Sequence, residues 1–282
     1  MLLRQRQEVQ ALPRSLNSRF LDWEGTINAR DSGGLRAAAG VVRDGALVRS
    51  DVLNDLTEAG SAALIAHGVR TVIDVRSADE IADAWDRYPF REHALVKYRN
   101  LPFSAGHEEQ QMDQVRAVYR AARSREEINR LDLDNHRIGI TAIVSAIADA
   151  PEGGVLVHCH AGKDRTGIVL AVTLSAVGVS DEDVANDYAL TMLVIEPLIA
   201  DWLDIMSDQE DERDRLRALA EPRREAMLDT LAHLRRHYGS AEEYLLGAGM
   251  TADQLARLRA RLVVAAEAGA AEAGAAEAGA AE

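Results

Sequence analysis

Short apolar runs alternate with amphipathic stretches through the first half of the chain. Ala46 to Arg49 and Thr71 to Val75 read as strands, with Leu95 to Tyr98 a further candidate, and helices are predicted at Leu56 to His67 and Ala78 to Trp85. Ile140, Ile143, Val144 and Ile147 recur at helical spacing, so that segment turns one apolar face to a core. Gly154 to Val157 then reads as a short buried strand and Gly167 to Val179 as an apolar helix. Such alternation predicts an α/β fold, a central sheet flanked by helices.

From Asp181 onward the pattern changes. Helices alone are predicted, near 181–192, 197–207, 209–220, 222–238, 240–247 and 251–264, with Pro197 and Pro222 at first-turn positions. Capping pairs mark several helix starts: Ser77 with Glu80, Ser124 with Glu127, Ser240 with Glu243 and Thr251 with Gln254. These read as punctuation rather than function. Leu193, Val194, Ile195, Leu198, Ile199, Trp202, Leu203 and Met206 are apolar enough for burial, whereas Asp208 to Asp214 are strongly charged. Beyond Ala265, glutamates recur at 267, 272, 277 and 282 and glycines at 269, 274 and 279, a period that gives no continuous helical stripe. The expected organisation is an N-terminal extension over 1–20, a folded domain over 21–264 and a frayed low-complexity tail over 265–282.

Between the buried strand and the apolar helix lies Val157-His158-Cys159-His160-Ala161-Gly162-Lys163-Asp164-Arg165-Thr166-Gly167. A loop that joins the C-terminal end of a strand to a helix N-terminus is where open α/β sheets bind ligands. Here the backbone N–H groups from His160 through Ala161, Gly162, Lys163 and Asp164 to Arg165 can converge on phosphate oxygens, with the positive end of the helix behind them. The same field favours a thiolate on Cys159, the only cysteine in the chain. Arg165 offers a planar fork that holds two phosphoryl oxygens and follows them into a transition state. Thr166 can donate its hydroxyl to the sulfur, and Gly162 lets the loop turn without a Cβ. Taken alone, Cys159 would read as a small buried hydrophobe; with Arg165 and Thr166 at this spacing it reads as a nucleophile. His158 is either an orienting residue bonded to loop backbone or a core histidine. Asp164 is a candidate general acid and base, or a carboxylate complementing the helix N-terminus, and Asp31 and Asp74 are alternatives for the acid.

On these residues the chain resembles the cysteine-dependent protein tyrosine phosphatases, in particular the atypical bacterial branch whose loop reads His-Cys-x-Ala-Gly-Lys-Asp-Arg-Thr-Gly. Asn28-Ala29-Arg30-Asp31-Ser32-Gly33-Gly34, Leu47-Val48-Arg49-Ser50, Val72-Ile73-Asp74-Val75-Arg76-Ser77, Asp187-Tyr188 and Tyr238-Gly239-Ser240 also fit that branch. Ala29 departs from it, standing where an aromatic residue is frequent. The resemblance implies hydrolysis of phosphotyrosine, with phosphoserine, phosphothreonine and phosphoinositides as further substrates. Lys163 then either holds a second phosphate of an inositol lipid or is a solvated loop residue. It also implies that part of 181–238 forms a helical lid over the loop, a plain helical subdomain being the alternative. None of Trp23, Trp85 and Trp202 precedes a proline, so the mobile Trp-Pro-Asp loop of the eukaryotic enzymes has no counterpart.

The expected function is a phosphomonoester hydrolase working through a phosphocysteine. Two rivals are a noncatalytic phosphate-recognition module of the same fold and a sulfur-transferase, which has no use for Lys163 to Thr166 in sequence. The chemistry asks for no cofactor, and the eight histidines are too scattered to suggest a metal site. With 282 residues, 47% of them hydrophobic, the chain can bury a sizeable core. A formal charge of −14 argues against nucleic acid as a partner and leaves a phosphoprotein or phosphoinositide to be recognised by the local field of the loop. No signal of the Sec type and no membrane anchor is seen, so the expected location is the cytoplasm, or outside the cell by a route that needs no such signal.

Overall fold

A computed structural model of the chain describes residues 19–82, 85, 88–106, 118–119, 121–206 and 209–265. The low-complexity tail from 266, most of the N-terminal extension, and residues 83 and 84 of the helix expected at 78–85 lie outside them. In chain order come β1 (Arg30–Asp31), β2 (Arg36–Ala37), β3 (Gly40–Val42), β4 (Leu47–Ser50), α1 (Glu58–Ala66), β5 (Val69–Asp74), α2 (Ala78–Ala82) and β6 (Lys97–Asn100). Then follow α3 (Arg125–Asn135), α4 (Arg137–Ala148), β7 (Gly154–His158), α5 (Asp164–Ala176), α6 (Asp181–Leu190) and α7 (Met192–Met206). Last are α8 (Glu210–Ala220), α9 (Arg224–Tyr238), α10 (Ala241–Leu246), α11 (Ala252–Leu262) and β8 (Val263–Val264).

The main sheet runs β1-β4-β7-β5-β6, parallel except for β1 at one edge. Alternate residues of its inner strands enter different cores. Leu47, Ile73, Val155 and Val157 pack with α4, α5 and the C-terminal helices, while Val48, Val72 and Leu156 pack with Trp23, Leu64 of α1 and Phe90. A sheet covered on both faces needs apolar side chains at successive positions, which is why Gly154 to Val157 carries no polar alternation. Register sets Ser50 beside His158 and Asp74 on its other side, so the loop after β7 emerges between the C-terminal ends of β4 and β5. A third cluster, Val194, Ile195, Ile199, Leu203 and Ala220, joins α7 to α8.

Four sequence expectations change. The strand expected at Leu95 to Tyr98 is β6, shifted to Lys97–Asn100; it is a sheet edge whose polar sequence gives no apolar run to fix its register. Pro197 stands inside α7, because the helix begins upstream at Met192; the lost N–H is tolerated where Val194, Ile195 and Ile199 bury together. Pro222 lies before Arg223, the N-cap of α9, and so precedes the first turn. A strand does occur after Asp181: β8 pairs antiparallel with β3, Val41 facing Val264 and Val42 facing Val263, in a small sheet ordered β2-β3-β8. Two valines after a helix carry no period that separates strand from helix end. Among the described residues no helix is long and apolar enough to cross a membrane.

Candidate active site

β7 ends at His158 and α5 begins at Asp164, so the loop spans five residues at the sheet's C-terminal edge. Its carbonyls are all taken from outside. His158 Nδ1 bonds the Cys159 carbonyl at 3.0 Å, Val52 N–H donates to that of His160 at 2.8 Å, and Asn28 Nδ2 donates to those of Ala161 at 2.9 Å and Gly162 at 3.2 Å. Arg49 donates to the Gly162 carbonyl at 2.6 Å, and Gly167 N–H to that of Lys163 at 2.8 Å. The N–H groups of residues 160–165, by contrast, donate to no acceptor among the described residues. A loop with its oxygens tied back and its amides unspent is a ready anion cradle. Gly162 holds φ +63°, and a Cβ there would stand 2.3 Å from the Ser50 carbonyl oxygen, so glycine is required twice over.

The brace behind this loop is a buried ion cluster. Asp187 of α6 pairs with Arg19, with Arg30 at 3.3 Å and with Arg49 at 2.8 Å. Burial alone would raise the Asp187 pKa, but Arg30, Arg19 and Arg49 outweigh it and hold the carboxyl well below its usual value. Arg30 is itself pulled down to about 9, by burial first and then by Arg49. Arg49 thus links the cluster to the Gly162 carbonyl. Sequence reading placed Asn28, Arg30, Arg49 and Asp187 only within matching motifs; their joint work is contact over long sequence separations, which no local pattern announces.

Arg165 is held in a fork by Glu80 of α2, at 2.6 and 2.8 Å. That pair takes two of the five guanidinium N–H groups and leaves the rest for a ligand. Burial opposes its charge, and Glu80 and then Cys159 more than restore it, so its pKa lies above the ordinary arginine value. Glu80, drawn down to about 2 chiefly by the Arg165 bond, also completes the expected box with Ser77. Treating that box as punctuation alone was therefore incomplete: the same carboxylate that caps α2 orients the loop arginine.

Lys163 is not a solvated loop residue, its side chain being 12% exposed. Lys163 Nζ donates to the Ala220 carbonyl at 2.6 Å and lies 3.4 Å from Asp164; its burial lowers its pKa. Asp164 also pairs with Arg125 at 3.1 Å and accepts from the Tyr188 hydroxyl at 3.4 Å. Burial pushes the Asp164 pKa up, and Lys163 and Arg125 more than reverse this, so the group is ionised at rest. Arg125, on α3, carried no sequence signal of a site.

The remaining candidates separate. Asp74 is fully buried and spent on structure: Arg76 binds it through its backbone N–H, Nε and NH2, and Tyr98 donates a hydroxyl at 3.1 Å. Asp31 is a correction. It accepts from Gly33 and Gly45 N–H and bonds His67, at the opposite end of β4 from the loop, so it does not reach the site. His158 is fully buried and bonds loop backbone. Because the Cys159 carbonyl can only accept, Nδ1 carries the proton, and Nε2 accepts from the Tyr88 hydroxyl at 2.7 Å; burial lowers the His158 pKa, in keeping with a neutral ring. The Thr166 hydroxyl is buried and has no partner among the described residues, so its expected bond to sulfur is not formed in this state.

Beside the loop is a cavity of about 450 Å³ walled by Arg125, His160, Ala161 and Lys163 on one side and by residues of α7 and α8, Ile195, Ile199, Trp202 and Leu216 among them, on the other. Cys159, only 3% exposed, is not in its wall. The cavity adjoins the loop on the side of His160 to Lys163 and does not reach Cys159.

A family model described as the tyrosine phosphatase family matches residues 21–264. A tyrosine-protein phosphatase of Nostoc commune is 30% identical over 236 residues, 77% of this chain and 74% of that protein. The triple specificity protein phosphatase PtpB of Mycobacterium tuberculosis is 32% identical over 188 residues, 58% of this chain and 66% of that one.

Proposed function

The chain belongs to the tyrosine phosphatase family and is a protein tyrosine phosphatase, and from that premise we propose that it works through a phosphocysteine formed on Cys159. The observation that carries this reading is the loop with every carbonyl tied outward and its N–H groups unspent, set between Cys159 and Arg165. Sulfur attacks phosphorus, the P–O bond to the leaving group breaks, and Asp164 supplies the proton that the leaving oxygen takes. Water then attacks the phosphocysteine, Asp164 recovers a proton, and the P–S bond breaks with Thr166 donating to the departing thiolate. Arg165 and the amides of His160 to Arg165 hold the equatorial oxygens throughout. Asp164 is ionised at rest, but a phosphate dianion in the loop opposes the field of Lys163 and Arg125 and raises it toward the state an acid needs.

Phosphotyrosine is the main substrate on this reading, with phosphoserine, phosphothreonine and phosphoinositides as further ones. Lys163 is the side chain for a second lipid phosphate, and α7 with α8 forms a lid over the loop, in keeping with the bonds of α8 to Lys163 and Arg125 and the packing of α7 on α8. The test is hydrolysis of a chromogenic aryl phosphate by the wild type and Cys159→Ser, extended to the four substrate classes. Release by the wild type alone is expected. Equal release by both proteins, or none by either, removes the phosphocysteine route.

A further inference from the structure

α8 ends against the loop through two cations. Its last carbonyls, which an α-helix leaves without internal partners and which carry its negative end, accept from side chains of other elements: Leu219 from Arg125, and Ala220 from Lys163 at 2.6 Å. The same two cations are the ones that hold Asp164, Arg125 NH1 at 3.1 Å and Lys163 Nζ at 3.4 Å. Arg125 opens α3 directly after its Ser124 cap, and its side chain is 8% exposed. Its Nε is buried with no partner among the described residues, so the guanidinium is aimed by its two contacts and not by packing into a full set of acceptors.

We propose that Arg125 is a positioning residue that ties the seating of α8 to the protonation of Asp164. Each of its contacts restrains the other: a guanidinium anchored on the helix end keeps its charge beside the carboxylate, and an ionised carboxylate keeps the guanidinium under the helix end. Coupling of this kind is reciprocal, so whatever protonates Asp164 loosens α8, and whatever lifts α8 alters the readiness of Asp164 to give up a proton. The other charged and titratable groups facing Asp164 are Lys163 and Arg165 along the chain, Asp132 from α3 and the Tyr188 hydroxyl from α6. Arg125 is the one among them that also grips α8 from outside the phosphate loop.

The inference rests on Asp164 as the proton donor, and its test keeps the two apart. The pH profile of kcat for an aryl phosphate is measured for the wild type, Arg125→Gln, Arg125→Lys and Asp164→Asn. Loss of the acid's proton produces the alkaline limb. Removing the positive charge in Arg125→Gln relieves a group that lowers the Asp164 pKa, so the limb moves to higher pH, and Arg125→Lys restores it. In parallel, amide exchange over 210–220 in the wild type, corrected for intrinsic rates, changes across the pH range of the limb; this arm needs no variant to fold. A limb lost in Asp164→Asn but unmoved in Arg125→Gln overturns the coupling alone, as does exchange in α8 that ignores the limb. A limb that persists in Asp164→Asn removes the acid assignment, and the coupling falls with it.

Discussion

Replacing Asp187 by Asn tests the idea that the phosphate loop is braced by a buried charge cluster. The substitution keeps the shape and removes one negative charge facing three guanidiniums, whose side chains are 10%, 0% and 1% exposed for Arg19, Arg30 and Arg49. Breaking a buried pair by neutralising one partner costs about 3–5 kcal/mol, because the charge left behind stays desolvated. Here three such charges lose their common partner, so the upper part of that range is expected, a large share of the 5–15 kcal/mol typical of a whole domain. The assay is urea unfolding followed by tryptophan fluorescence, with kcat/KM measured on the folded fraction, since Arg49 also fixes the Gly162 carbonyl. The pH dependence has a definite sign. The folded pKa of Asp187 lies below the unfolded value of 3.8, so its stabilisation is present above 3.8 and disappears as pH falls through the folded value. The gap between the wild type and Asp187→Asn therefore narrows only below 3.8. A loss under about 1 kcal/mol at neutral pH, the scale of a surface pair, would refute the brace.

Two further outcomes follow from buried groups near the loop. Asp132, 6% exposed, is raised by burial to about 7 against an unfolded value of 3.8, so its favourable contribution is complete below 3.8 and is lost as pH rises through about 7. Asp132→Asn can still accept from Tyr119 and should flatten that slope, gaining on the wild type as pH increases; urea midpoints that stay a constant distance apart at acidic and alkaline pH count against it. Gly162→Ala forces a left-handed conformation costing about 1–2 kcal/mol, and its Cβ overlaps the Ser50 carbonyl, which β4 cannot move without leaving β7. A loop displaced by the order of 1 Å costs about 100-fold in rate, so unchanged kcat/KM would show that the loop yields freely.

What was legible in the chain was what the chain keeps local. Cys159, Gly162, Arg165 and the strand and helix around them lie within a few positions of one another, and their spacing alone specifies a cradle at a helix N-terminus. Glu80 was visible too, but a sufficient local explanation, its box with Ser77, concealed its bond to Arg165, 85 positions away. Asp164 was read as a single carboxylate because only Lys163 and Arg165 stand beside it in sequence; Arg125, Tyr188 and Ala220 reach the same place through α3, α6 and α8. Asp31 was drawn toward the site by its glycine-rich surroundings, which in fact serve a turn at the other end of the strand. The helical half was read correctly in kind while β8 was missed, since a two-residue strand exists only by virtue of the edge it meets.

That short strand has a consequence for how the protein is made. β3 has β2 on one side and β8 on the other, and the Val264 carbonyl comes so close to Gly40 that a Cβ there would lie within 1.9 Å of it. On the ribosome, therefore, β2 and β3 emerge early as an open hairpin and wait for Val263 and Val264 at the far end of the domain. This sheet closes only once that distant segment has been made, and a chain that stops at Leu262 would leave β3 with a bare, aggregation-prone strand edge.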